Sequence, residues 1–141
     1  MLQDYKKHCE EREKQAIPPL PLSAQQTSDL VELLKAEHEE SELLMGLLKE
    51  RIPAGVDQAA YVKAGFLADI TTGETNSPYI SKKDAVIILG TMLGGYNIQP
   101  LIKCLESDEL GEVAANALSK TLLIFDAFNE VLALSETNKN A

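Results

Sequence analysis

Apolar side chains recur every three or four positions along most of the chain, with charged and polar residues between them. This spacing places the apolar side chains on one face of an amphipathic α-helix. No two segments show the alternation that would indicate a pair of neighbouring β-strands. The pattern predicts about seven or eight helices. The second of them begins at residue 23 and ends within 35–41, and the others lie within residues 1–15, 43–52, 56–70, 82–93, 97–105 and 110–132.

Capping residues mark the starts of two of these helices. Ser23 is followed three residues later by Gln26, and Ser81 is followed in the same way by Asp84. In such a pair, each side chain accepts a hydrogen bond from the backbone N–H of the other residue. The start at Ser81 favours a helix over 82–93, although its continuous apolar run is by itself also compatible with a strand.

A proline-rich stretch, IPPLPL, separates the first helix from the second. Its prolines remove N–H donors and favour an extended backbone, so we expect a short strap here. The chain then divides into a charged N-terminal helix over 1–16, the strap over 17–22 and a helical domain over 23–141.

The clearest helical spacing begins at Leu110 and continues to Phe125. Leu123, Ile124, Phe128 and Leu132 widen this apolar stripe, so we expect the segment to be buried on two sides. Short amphipathic helices joined by tight turns are typical of stacked helical hairpins, as in HEAT-type solenoids. The predicted fold class is therefore all-α, a HEAT-like stack with at most two or three degenerate repeats.

The glycine-rich stretch VIILGTMLGGYNIQPLI raises the question of a nucleotide site. Gly90 and Gly95 have the spacing of a phosphate-binding loop, but Tyr96 and Asn97 stand where that motif needs Lys and Ser or Thr. We interpret the stretch as a structural joint between two helices, formed by Gly94, Gly95, Tyr96 and Asn97. One of the glycines would take a positive φ at a helix C-cap, Tyr96 would cover the joint, and Asn97 would cap the outgoing helix.

Composition and charge narrow the class of protein. A length of 141 residues suits one domain. The net charge of −9 makes binding of nucleic acid unfavourable. No apolar run is long enough to span a membrane. Two cysteines without metal-binding spacing, and an N-terminus that lacks the apolar core of a signal peptide, predict a cytoplasmic protein.

No group of residues forms a convincing active site. His38 and Glu42 are four residues apart and are able to share a helix face, but two ligands do not make a zinc site. His8, Cys9, Glu10 and Glu11 are contiguous and point in different directions on a helix. Cys104 lies on the apolar side of its helix, as a buried thiol would. We expect no catalytic, cofactor-binding or metal-binding residue, while an acidic-cleft ligand site and an iron module built on His38 remain alternatives.

Three stretches, IPAGVDQAAYVKAGFLA, LGTMLGGYNIQPLI and ALSKTLLIFDAF, together resemble the N-terminal HEAT-like domain of aconitase B. Aconitase B is a bacterial aconitate hydratase that also serves as a 2-methylisocitrate dehydratase. The resemblance covers roughly residues 20 to 130, and Gln99 departs from it where some members carry His.

This resemblance implies a domain of a larger hydro-lyase of the tricarboxylic acid cycle. The family's [4Fe–4S] cluster and catalytic residues belong to other domains, and neither Cys9 nor Cys104 matches a cluster-binding motif. It also implies a role in contacts with the other domains of the enzyme or in dimerisation, and in shaping access to the active site. The C-terminal end would then be a truncation of a longer chain.

Overall fold

The computed structural model describes residues 1–121 and 127–141. These ranges contain eight α-helices and no β-strand beyond one isolated bridge between Ser77 and Ile80. The helices are α1 Leu2–Lys14, α2 Ala24–Leu34, α3 Ser41–Glu50, α4 Gln58–Thr72, α5 Lys82–Gly90, α6 Ile98–Leu105, α7 Gly111–Ser119 and α8 Phe128–Ser135.

The helices form a stack in which α4 lies between α2 and α5. Helix α5 also packs against α7, α7 packs against α6, and α3 packs against α2. One continuous apolar core runs through the stack, and leucines supply most of its fully buried side chains, namely Leu22, Leu30, Leu34, Leu44, Leu48, Leu67, Leu89, Leu101 and Leu105. The predicted all-α helical stack is confirmed.

Both predicted capping boxes are present. Ser23 Oγ accepts from the Gln26 N–H at 3.2 Å, and the Ser23 N–H donates to Gln26 Oε1 at 2.9 Å. Ser81 Oγ accepts from the Asp84 N–H, and Asp84 Oδ2 accepts from the Ser81 N–H, both at 3.1 Å. These bonds satisfy N–H groups that the first turn of a helix leaves without partners.

The proline strap is tied to its neighbours by hydrogen bonds to its backbone. Arg12 Nε donates to the Pro18 carbonyl at 2.8 Å, and Arg51 Nη2 donates to the Pro19 carbonyl at 2.6 Å. His8 Nε2 accepts from the Leu20 N–H at 3.0 Å. Because the strap forms no ladder of its own, these side chains from α1 and from the end of α3 fix its course.

Two predicted helices end earlier than the apolar pattern suggested. Helix α5 ends at Gly90 rather than at 93, where Thr91 Oγ1 donates to the Ile88 carbonyl at 2.7 Å. Helix α7 ends at Ser119, where Thr121 Oγ1 donates to the Ala117 carbonyl at 3.0 Å. Hydroxyl groups that bond to terminal carbonyls compete with continuation of the helix.

The expectation of a stripe buried on two sides beyond Leu110 is wrong for its last members. Phe128 is 58% exposed and Leu132 is 55% exposed, and α8 contains no buried residue. Leu123, Ile124 and Phe125 lie outside the described residues. Periodicity predicts which side chains share a face, but it does not say whether a neighbouring helix covers that face. Within the described part of the chain, no helix is long and apolar enough to cross a bilayer.

Candidate functional site at the glycine joint

The glycine joint connects two loops that are 40 residues apart in sequence. Gly94 and Gly95 have φ values of 102° and 96°, a region that favours glycine. A Cβ at Gly94 would stand closer than 3.0 Å to the Gly55 backbone, whereas a Cβ at Gly95 would meet no atom within 4 Å. The Gly55 N–H donates to the Leu93 carbonyl at 3.2 Å. The close approach therefore depends on Gly94, and it joins the loop after α3 to the loop after α5.

Neither glycine is a helix C-cap, contrary to the prediction. Thr91 occupies that position after α5, with φ of −88°, and the two glycines follow it. Because Thr91 already bonds the last carbonyls of the helix, the left-handed residues serve instead to reverse the chain against Gly55.

Asn97 acts on the helix before it and not on the helix after it. The side chain is 1% exposed and makes no cap hydrogen bond to α6. Its Nδ2 instead donates to the carbonyls of Leu89 at 2.7 Å and Met92 at 3.2 Å. The prediction that Asn97 caps the outgoing helix with its side chain is therefore wrong. The backbone of Asn97 is helical, so its side chain points away from the α6 N–H groups that an extended residue would reach.

Tyr96 lies beside the joint and links it to the start of α4. Its hydroxyl donates to the Val56 carbonyl at 3.2 Å, and its ring meets the Tyr61 ring edge-on with centroids 5.4 Å apart. Aromatic pairs in this arrangement are favourable beyond their burial.

A small cavity of about 130 Å³ opens where the two loops meet. It is lined by Lys49, Ile52, Pro53, Ala54, Lys63, Thr91, Met92 and Leu93. Lys49 and Thr91 also line an adjoining groove of about 520 Å³ between α3 and α5. The other residues of that groove are Met45, Tyr79, Asp84, Ile87 and Ile88. The cavity and the groove therefore share Lys49 and Thr91, and the glycine joint begins directly after the cavity residue Leu93.

Lys63 is the unusual member of this cavity, because it is a charged residue that is only 6% exposed. Burial lowers the pKa of its ammonium from 10.5 to about 8. The ion pairs within the described residues join Lys6 to Glu40 and Lys35 to Glu32, so neither involves Lys63. Buried charges in proteins are normally paired.

Sequence reasoning missed Lys63, although the spacing carries a signal. The residue lies four positions after Ala59 and four before Leu67, both fully buried. Positions four apart share a helix face. A lysine at that register lies on the buried face of α4, where its ammonium needs a partner.

Among the described residues, Asp84 is the only carboxylate that lines the cavity or the groove, and it already accepts hydrogen bonds from Ser81. Hydrogen bonds from the Ser81 hydroxyl at 2.8 Å and from the Ser81 N–H lower the pKa of this carboxyl, with a smaller contribution from the charge of Lys49. Asp84 therefore stays ionised and holds the start of α5.

The other chemically interesting residues are not brought together. His38 lies in the turn before α3, not on a shared helix face with Glu42, and its Nδ1 accepts from the Glu40 N–H at 3.0 Å. Cys9 and Cys104 are both free thiols, and burial raises the pKa of Cys104. No group of three or more His, Cys, Asp and Glu side chains able to hold a metal ion occurs among residues 1–121 and 127–141.

A second surface feature is an apolar groove of about 390 Å³ between α7 and α8. Its walls include Leu105, Leu118, Phe128, Val131 and Leu132. Phe128 and Leu132 lie one turn apart on α8, and both leave more than half of their surface exposed.

Comparison with known proteins places the chain in a family. Residues 4–141 match the family described as Aconitate B N-terminal domain. The chain is 60% identical to aconitate hydratase B of Synechocystis sp. over 98% of its own length and 16% of the relative. It is 54% identical to aconitate hydratase B of Salmonella typhimurium over 93% of its length and 15% of the relative. The corresponding Helicobacter pylori protein is 44% identical over 97% of the chain and 16% of that protein.

The chain thus spans about one sixth of the length of these curated relatives. Its all-helical architecture agrees with the helical domain that the sequence predicted. A match over nearly the whole chain, together with identities between 44% and 60%, decides the assignment. This chain belongs to the aconitate B N-terminal domain family.

Proposed function

We propose that the chain is a non-catalytic domain of an aconitate hydratase B, in which it packs against the rest of the enzyme and shapes the approach to the active site. The full protein would then catalyse the hydro-lyase reaction that the name of its relatives describes. Two free cysteines are in keeping with a location in the reducing cytoplasm.

The observation that carries this proposal is the uncovered apolar face of α8. Phe128 and Leu132 border the apolar groove between α7 and α8, and each leaves more than half of its surface exposed. Such patches on a folded domain mark sites of contact with another protein surface. Because the relatives are about six times longer than this chain, we propose that another part of the same polypeptide covers the face.

The family's [4Fe–4S] cluster does not fit this chain. Such clusters are held by cysteine thiolates, typically four. The chain has two cysteines, and burial of Cys104 disfavours its thiolate form. We therefore propose that the cluster and the reacting substrate are bound entirely by other domains.

A first experiment tests the absence of catalysis. The 141-residue chain is purified, its helical circular dichroism is verified, and aconitate hydration is measured after treatment with iron and sulfide. We expect no turnover above a protein-free blank, and reproducible turnover would contradict a non-catalytic role.

A second experiment tests docking through α8 in the full-length protein. Phe128→Asp and Leu132→Asp place a charge on the proposed contact face, and Leu20→Asp is the matched control, because Leu20 is equally exposed at 55% but lies on the strap. We expect faster hydrogen exchange in α8 and a lower melting temperature for the two α8 variants, while Leu20→Asp matches the parent protein. Unchanged exchange in all three variants would refute the docking face. A loss of dimer mass in ultracentrifugation, without faster exchange in the monomer, would assign the face to a second copy instead.

A further inference from the structure

We propose that the cavity lined by Lys63 and Lys49 binds a small anion that carries a phosphate or carboxylate group. This site lies at the glycine joint, on a different part of the stack from the α8 face, and the inference does not depend on the docking role. It rests on the burial of Lys63, the absence of acidic groups in the cavity and the way the joint fixes the cavity walls.

The first step is the state of Lys63 itself. Only 6% of the residue is exposed, and no hydrogen bond or ion pair to its ammonium occurs within the described residues. The ammonium nonetheless retains contact with solvent, because it is not among the fully enclosed polar atoms without a partner. Its side chain lines the cavity, and no ion pair among residues 1–121 and 127–141 neutralises it.

The second step concerns the backbone carbonyls that follow the apolar run of α5, because Met92 and Leu93 line the cavity together with Lys63. These carbonyls are already bonded to protein N–H groups. The Asn97 side-chain amide donates hydrogen bonds to the carbonyls of Leu89 and Met92, and the Gly55 N–H donates to the carbonyl of Leu93. None of these carbonyls accepts a hydrogen bond from Lys63. The hydrogen bonds of the joint therefore fix the cavity residues Met92 and Leu93 without giving the Lys63 ammonium a partner.

The third step is charge. Among the described residues, two lysines and no Asp or Glu line the cavity, although acidic residues outnumber basic ones by 22 to 13 in the whole chain. Asp84 lies in the adjoining groove, and its Oδ2 accepts from both the hydroxyl and the N–H of Ser81. The buried ammonium of Lys63, with Lys49 on the side of the cavity that it shares with the groove, favours a phosphate or carboxylate, to which lysine donates as a compact point charge.

The proposal is tested by titrating the 141-residue chain with sodium phosphate and, separately, with sodium citrate at pH 7 and constant ionic strength. Calorimetry measures binding, and NMR of ¹³C-labelled lysine side chains follows Lys63 directly. We expect saturable 1:1 binding of at least one of the two anions and a rise of the Lys63 pKa toward its ordinary value. Binding of phosphate alone or of citrate alone identifies which chemistry the site selects.

Three lysine variants distinguish binding of the anion in the cavity from nonspecific attraction to positive charge on the surface. Lys63→Met should weaken binding at least tenfold, and Lys49→Met severalfold. Lys103→Met, which removes the same charge from the exposed side of α6, should leave it unchanged. Circular dichroism verifies that each variant is folded. The inference is overturned if neither anion moves the Lys63 resonance, or if Lys63→Met binds as tightly as the parent chain.

Discussion

Replacing the buried lysine tests the energetic argument independently of any ligand. Lys63→Met removes the ammonium and keeps an unbranched side chain of similar length in a cavity whose other lining residues include Ile52, Pro53, Met92 and Leu93. An unpaired buried charge lowers the stability of a folded domain, because the charged form is better solvated in the unfolded chain. We therefore expect the variant to be more stable than the parent chain at neutral pH.

The magnitude follows from the pKa of Lys63. The gap between the ordinary value of 10.5 and the value of about 8 in the folded chain corresponds to about 3 kcal/mol, at about 1.4 kcal/mol for each pH unit. Below pH 8 both states carry the proton, and the folded state bears the full destabilisation. Between pH 8 and 10.5 the unfolded chain binds more protons than the folded chain, so the stability of the parent chain rises with pH.

Chemical denaturation in urea, followed by circular dichroism from pH 7 to pH 10.5, measures this difference. We expect Lys63→Met to exceed the parent chain by about 3 kcal/mol at pH 7, and the gap to close as the pH approaches 10.5. Lys49→Met is the control, because Lys49 lines the same cavity but is exposed. Its unfolding free energy should stay within about 0.5 kcal/mol of the parent chain.

Two results would refute the reasoning. A Lys63→Met chain that is less stable than the parent at pH 7 would show that the ammonium makes a favourable interaction in the folded state. A stability difference that does not change between pH 8 and 10.5 would show that Lys63 keeps its ordinary pKa. Every titrating group other than Lys63 is common to both chains, so its contribution to the pH dependence cancels in the comparison.

Three further predictions concern the joint and the helix caps, each measured as the free energy of unfolding. Gly94→Ala should cost more than roughly 3 kcal/mol, because the new Cβ would overlap with the Gly55 backbone in addition to the strain of a positive φ. Gly95→Ala should cost only about 1 kcal/mol from strain alone, and equal costs would contradict the close approach at Gly94. Asn97→Leu should cost about 2 kcal/mol through loss of two buried hydrogen bonds, and a neutral result would show that water replaces the amide. Ser81→Ala should cost about 1 kcal/mol, and hydrogen exchange should quicken in the first turn of α5 rather than throughout the chain.

The sequence alone determined the features that depend on local spacing. Apolar periodicity predicted helices, and the capping boxes at Ser23 and Ser81 fixed two helix starts to the residue. A positive φ at one of the paired glycines was also predicted from residue type, since glycine has no Cβ to oppose it, and the structure has it at both. Hydrogen bonds and steric limits within a few residues determine these features, so a single segment of sequence is enough to predict them.

Tertiary structure decided everything that depends on contact between distant segments. Asn97 bonds backward to α5 rather than forward to α6, and Gly94 matters because Gly55 lies against it. Lys63 is buried and Phe128 is exposed, each against the ordinary preference of its residue type. Whether a side chain on a helix face meets protein, solvent or a ligand depends on which helices pack against that face. That packing is fixed by the whole core and not by the spacing within any one helix.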